Sequence, residues 1–234
     1  MGIKEFFTKK RILFILMFAV LAFMGDRINY SQLLGMDKQY FTFFQFFGPL
    51  PAAFLGPFVG IIAVAMAQIA NFFLLGKTFE IVNIIRLTPM LFAAYYFGTT
   101  GKNKLGIIAP IICMAAFMLH PVGQQAWIFS LMWLVPIFAR FSNRLFLKSL
   151  GTTFTAHAIG GALWIWTIPS TPEFWILLIP IALAERIAFA LGITVSYVGI
   201  NTILNRFETF TKAVEININK KYVFSKNLLM GIKL

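Results

Sequence analysis

Charge is what this chain has least of. Only 12% of its 234 residues are Asp, Glu, Lys or Arg, about half the usual share of a soluble domain. Hydrophobic residues make up 59%. A water-soluble globule of this length could not hide so much apolar surface, whereas a bilayer covers it with lipid. Cysteine is scarcer still. Cys113 stands alone, which excludes an intrachain disulfide and any cysteine-based metal site. His120 and His157 are the only histidines, too few to suggest a buried metal centre, and no cofactor is expected. Neither GxSxG, HExxH, a P-loop nor CxxC occurs, and the acidic residues form no paired-carboxylate motif. Catalysis, ATP hydrolysis included, is therefore not expected. Ladders of alternating residues that would build a transmembrane β-barrel are missing too.

What remains is helix. Inside a bilayer every backbone polar group needs an internal partner, and without a barrel only helices provide that. Eight apolar segments are candidates for crossing: 11–25, 40–54, 56–75, 81–98, 105–119, 126–139, 149–168 and 174–200. The expected fold class is all-α, a polytopic transmembrane bundle of six to eight spanning helices over residues 1–204, followed by a basic cytoplasmic tail, 205–234. The stretch 40–75 sets the range. Gly48-Pro49, Pro51 and Gly56-Pro57 interrupt it, so it forms either two short spans or a re-entrant hairpin.

The net charge of +12 does not suggest nucleic acid, because the basic residues sit between and beyond the apolar runs. Lys9, Lys10 and Arg11 precede the first run. Lys102 and Lys104, then Arg140, Arg144 and Lys148, fill two gaps, and Lys212, Lys220, Lys221, Lys226 and Lys233 lie in the tail. This is the positive-inside pattern. It predicts a multi-pass protein of the cell membrane with both termini cytoplasmic and the gaps 26–39, 120–125 and 169–173 outside. The first run resembles a signal peptide, but Asp26-Arg27 follows it where a small-x-small cleavage site would stand, so it reads as a retained helix. Arg206, Glu208, Lys212 and Glu215 suggest a short helix lying against the inner membrane surface.

Two faces are lined with small residues: Gly56, Gly60, Ala63, Ala67 and Ala70, and Ala184, Ala188, Gly192 and Ser196. Such faces let helix backbones approach closely, within this chain or against a partner subunit. Ionisable residues inside apolar runs are costly and face a bundle interior or a wet cavity. Arg86, His157, Glu185 and Arg186 are the instances. Glu185 and Arg186 diverge by about 100° around a helix, which makes Arg86 or His157 plausible partners for Glu185; its carboxylate is expected to be shielded from lipid and within hydrogen-bond reach of Arg86, His157, Arg186 or a water-filled cavity. On the assigned topology the polar residues concentrate in the outer half. That asymmetry predicts an outward-opening site for a small organic solute, built from Arg86, Asn83, Gln124, Gln125, His157, Trp164 and Glu185. Arg86 could clamp a carboxylate or phosphate, or reach up to the outer headgroups. Pro89, three residues on, is expected to kink its helix and open space.

The stretch from Phe46 to Gly60, with Gly48-Pro49-Leu50-Pro51-Ala52-Ala53-Phe54-Leu55-Gly56-Pro57 at its centre, resembles the Gly/Pro-rich turn of substrate-capture (S) components of energy-coupling factor transporters. Ala156-His157-Ala158-Ile159-Gly160-Gly161-Ala162 has a similar character. The resemblance covers roughly 40–200. It implies a small helical bundle that captures a vitamin-like solute from outside and docks on a transmembrane coupling subunit driven by two ATPases. The start Met1-Gly2 departs from the Met-His start of the metal-binding members, so the resemblance implies an organic solute. The expected partners are therefore the lipid bilayer, the solute, the coupling subunit and its ATPases. The alternative is a membrane scaffold without transport, or a lipid-modifying enzyme.

Overall fold

The computed structural model describes residues 8–32, 39–99 and 104–224. It is mostly helical. Helix α1 spans Lys9–Asp26, and its N-terminus is capped by Thr8, whose Oγ1 accepts from Arg11 N at 3.3 Å. A two-stranded antiparallel hairpin follows, β1 (Asn29–Gln32) and β2 (Tyr40–Thr42). The chain continues through a 3-10 turn, Phe43–Phe46, into α2 (Pro51–Leu55), α3 (Pro57–Leu74), α4 (Ile81–Ile85), α5 (Thr88–Gly98) and α6 (Leu105–Leu119). Short pieces come next: α7 (Pro121–Gln125), α8 (Trp127–Ser130), a 3-10 turn over Leu131–Leu134 and α9 (Val135–Ala139). The two longest helices, α10 (Leu145–Thr167) and α11 (Pro172–Arg206), precede a short α12 (Glu208–Val214).

Three of these helical stretches are long and apolar enough to cross a membrane: Pro57–Leu74, Ile81–Gly98 and Pro172–Arg206. That is fewer than the six to eight expected, and the reasons are physical. Helix α1 has 18 residues but carries Lys9, Lys10, Arg11 and Asp26. Helix α10 has 23 residues, about 34 Å at 1.5 Å per residue, yet Ser149, Thr152, Thr153 and Thr155 dilute its hydropathy. All four are buried, because α10 is the central helix, packed against α5, α6, α9 and α11. Three of the hydroxyls are satisfied inside the bundle: Thr152 donates to the Lys148 carbonyl at 2.8 Å, Thr155 to the Gly151 carbonyl at 2.7 Å, and Ser149 Oγ accepts from Thr194 of α11 at 3.0 Å. A helix wrapped in protein does not need an apolar surface. The remaining apolar helices, Phe43–Leu55, Leu105–Leu119 and Trp127–Ala139, are shorter.

The segment 40–54 is no continuous helix. It starts as a strand, tightens into a 3-10 turn and becomes helical only at Pro51. It still runs from one end of the bundle to the other. Tyr40 lies against Arg86 at the hairpin end, while the Phe54 carbonyl accepts from Asn217 N at 2.8 Å at the opposite end. There Gly56, at φ +84°, reverses the chain into α3, a conformation glycine adopts at no steric cost. Close packing of α3 on α2 requires Gly60, where a Cβ would come within 2.1 Å of Ala52 Cα. Ala63 and Ala67 of the same stripe are fully buried, and Gly192 of the second stripe abuts Phe46. The first stripe therefore serves packing within the chain, whereas the second does so at Gly192 and leaves Ala184 exposed.

Residues 205–224 close the end opposite the hairpin. Arg11 donates from Nε to the Val214 carbonyl at 3.1 Å and pairs with Glu215. Asn201 and Asn219 exchange two hydrogen bonds, of 2.9 and 3.1 Å. Val214 and Ile216 join the core around Ile15, Phe54 and Tyr197. Arg140 is buried nearby, its guanidinium donating to the Tyr96 carbonyl at 2.8 Å and lying 4.4 Å from the Tyr96 ring centre.

Candidate functional site

At the hairpin end, a cavity of about 310 Å3 opens between the hairpin, the α4–α5 turn, and the facing halves of α10 and α11. That is the low end of the range for small-molecule sites. Five of the seven residues expected from sequence converge on it: Asn83, Arg86, His157, Trp164 and Glu185. Gln124 and Gln125 do not. They lie exposed in α7, outside the cavity, where Gln125 Nε2 donates to the Pro121 carbonyl at 3.5 Å. His120 begins that turn by capping it, its Nδ1 accepting from Val122 N at 3.2 Å. The short helix thereby points both amides away from the bundle.

Arg86 sits in the turn between α4 and α5, with Pro89 in the first turn of α5, where no helical donor is needed. The break expected at Pro89 is therefore present. The guanidinium donates through Nη1 to Gln39 Oε1 and through Nη2 to the Tyr40 carbonyl. Both partners are neutral. Asn83 donates to the Thr78 carbonyl and to Thr78 Oγ1, at 3.1 and 3.2 Å, and so braces the turn before α4.

Of the cations expected for Glu185, Arg186 is the one it meets. It contacts neither Arg86 nor His157. Its Oε2 accepts from Arg186 Nη2 at 3.2 Å and its Oε1 accepts from Ser31 Oγ of the hairpin at 2.6 Å. The two Cα–Cβ vectors do diverge, but the long arginine side chain reaches back to its neighbour. Arg186 is 3% exposed and its guanidinium lies 4.8 and 4.6 Å from the ring centres of Phe41 and Phe189, close enough for cation–π attraction. Its Nε has no hydrogen-bond partner.

His157 accepts at Nδ1 from Trp133 Nε1–H at 3.1 Å. The neutral imidazole then carries its proton on Nε2. Trp164 stands two turns further along the same face of α10, with Gly160 and Gly161 between them, and all four line the cavity. The opposite carboxylate is Asp26 at the end of α1, which accepts from Thr42 Oγ1 at 2.8 Å and Asn71 Nδ2 at 2.6 Å.

Sequence reasoning missed Gln39, Lys77, Gln68 and Trp175 as cavity residues. Gln39 and Lys77 lie in connecting segments, where residue type says little about placement. Gln68 carried a signal: it is the only amide in the apolar run from Pro57 to Ala70, and its Oε1 is buried without a partner. Among the described residues no group of three His, Cys, Asp or Glu side chains could hold a metal ion.

No known family model, curated protein or solved structure matches the chain.

Proposed function

We propose that this chain is a multi-pass membrane subunit that captures a small organic solute in the cavity at the hairpin end, in the manner of the energy-coupling factor S components that its Gly/Pro-rich stretch resembles. The observation that carries the reading is the convergence of Arg86, Asn83, His157, Trp164 and Glu185, drawn from three separate helical stretches, on one concave site. Charge distribution supports the membrane arrangement. Among the described residues, segments 8–11, 104, 140–148 and 204–224 hold eleven Lys or Arg and two Asp or Glu, while segments 26–32, 77–86 and 173–186 hold four of each. The net charge of the described residues thus belongs to the end opposite the cavity. By the positive-inside rule that end is cytoplasmic, with both termini, and the cavity faces outward.

In this reading the chain crosses eight times, counting 40–55 and 127–139, whose irregular backbone is tolerable at membrane depth because neighbouring helices cover it. The short α6 and its neighbours match a locally thinned bilayer. ATP hydrolysis and coupling belong to partner subunits. Native mass spectrometry of the purified chain tests the proposal. Wild type should carry a small-molecule adduct, and Gly160→Val, which places a branched side chain into the cavity, should have lost it. A bare chain in both, with the fold intact, overturns the reading.

A further inference from the structure

We propose that the cavity takes a small ring-bearing monoanion, with its carboxylate held by Arg86 and its ring laid in a slot on α10 over Gly160. The inference rests on the solute-capture reading above and names the class of solute.

The anion follows from a count of charges. Among the described residues lining the cavity, the cations are Arg86, Arg186 and Lys77, and the acids are Asp26 and Glu185. One positive charge is left over. The acids are already served, Glu185 by Arg186 and Ser31, Asp26 by Thr42 and Asn71. Arg186 has Glu185. Among the described residues Arg86 makes no salt bridge: two of its five N–H groups go to neutral oxygens, and the other three make no hydrogen bond there. Asp26 is near enough to act on both Arg86 and Lys77 but forms a salt bridge with neither, so a guanidinium held in place by Gln39 and Tyr40 in a partly desolvated site is preorganised for a second carboxylate. A cationic solute would add to the surplus.

The ring follows from the face of α10. His157, Gly160, Gly161 and Trp164 fall at i, i+3, i+4 and i+7, so they form one stripe. Two flat side chains, two turns apart, stand on either side of two residues without side chains. A Cβ on Gly160 would meet only Pro89 Cγ, at 3.6 Å, so the gap opens toward the α4–α5 turn. Pro89 is the far wall and Arg86 lies three residues before it. Trp133 is committed to His157 and Trp175 to Ser170 Oγ, at 2.9 Å, whereas the Trp164 indole N–H makes no hydrogen bond within the described protein. A planar ring placed over Gly160 stacks on Trp164 and puts an acid substituent beside Arg86. The volume of about 310 Å3 equals roughly ten waters of liquid, which limits the solute to one or two fused rings.

Three probes share one ring system and differ in charge: indole-3-acetate, indole-3-acetamide and tryptamine. Binding to the chain in phosphatidylcholine nanodiscs is read by calorimetry. The acid is expected to bind about tenfold or more tighter than the amide, and the amine weakest. Arg86→Gln should lower affinity for the acid by roughly ten- to a hundredfold, the worth of a charge-assisted hydrogen bond, and leave the amide within about threefold. Arg86→Lys should fall between, because a point charge replaces a fork. Equal or tighter binding of the amide or amine overturns the monoanion, and so does an unchanged acid affinity in a folded Arg86→Gln. Displacement of the acid by phosphatidylglycerol would assign Arg86 to a lipid headgroup instead. If no probe binds but the purified chain retains a solute by mass spectrometry, the ring-acid class is wrong and solute capture stands. If neither is seen, both fall.

Discussion

Glu185→Gln is the substitution whose cost the structure defines best. Arg186 is 3% exposed and the Glu185 side chain 16% exposed, and the contact between them is 3.2 Å. Removing one partner of a buried pair leaves an uncompensated charge and costs about 3–5 kcal/mol. Phe41 and Phe189 offer their faces to the guanidinium and offset part of this, so the expected loss is near the lower end, about 3 kcal/mol. Neutral Gln keeps an acceptor for Ser31 Oγ, so the hairpin contact survives and the loss reports the charge. In a chain of this size about 3 kcal/mol corresponds to a Tm lower by about 6–12 °C. The protein supplies its own reporter. Cys113 is the only cysteine and is 6% exposed, so a thiol-reactive dye fluoresces only as the core around it opens. The double variant Glu185→Gln with Arg186→Met removes both charges and should recover most of the loss, because a packed apolar pair is close to neutral in energy with the ion pair it replaces. A Tm for Glu185→Gln within about 2 °C of wild type, or a double variant less stable than either single, would refute the reasoning.

Gly60→Val should destabilise by about 1–3 kcal/mol or more, and Ala52→Gly should not rescue it, since the nearest atoms to the new Cβ are Ala52 Cα and N; the same thiol-dye melt checks both. Gln124→Ala and Gln125→Ala, alone or together, should leave solute binding unchanged, because both side chains point away from the cavity; a loss of affinity in either would move the site toward α7.

Much of the helical content was legible because the apolar runs are long and the polar gaps short. Prolines and glycines marked real breaks at Gly56 and before Pro89. The hairpin was not legible: Asn29–Gln32 and Tyr40–Thr42 are three or four residues each, too short for a periodic signal, so the first read as part of the outer gap 26–39 and the second as the start of the apolar run 40–54. Five cavity residues were recognisable because charge, amide or indole groups in apolar helices must be accounted for. Gln124 and Gln125 shared the residue type without the placement, since the break at His120 that starts the short helix Pro121–Gln125 decides where they point, and depth along a helix does not encode that. Glu185 was expected to pair with a cation, and it meets Arg186; Cα geometry alone had favoured Arg86 or His157, because it takes no account of the length of arginine.

The central claim is that the cavity end of the bundle faces outward. With Cys113→Ala as a cysteine-free background, Asn83→Cys at the cavity rim and Arg206→Cys at the basic end can each be treated in intact cells with a membrane-impermeant maleimide. The account predicts that Asn83→Cys is labelled from outside, and more slowly when the cavity is occupied, while Arg206→Cys is labelled only after the cells are permeabilised. Labelling of Arg206→Cys from outside, with Asn83→Cys protected until permeabilisation, would contradict it.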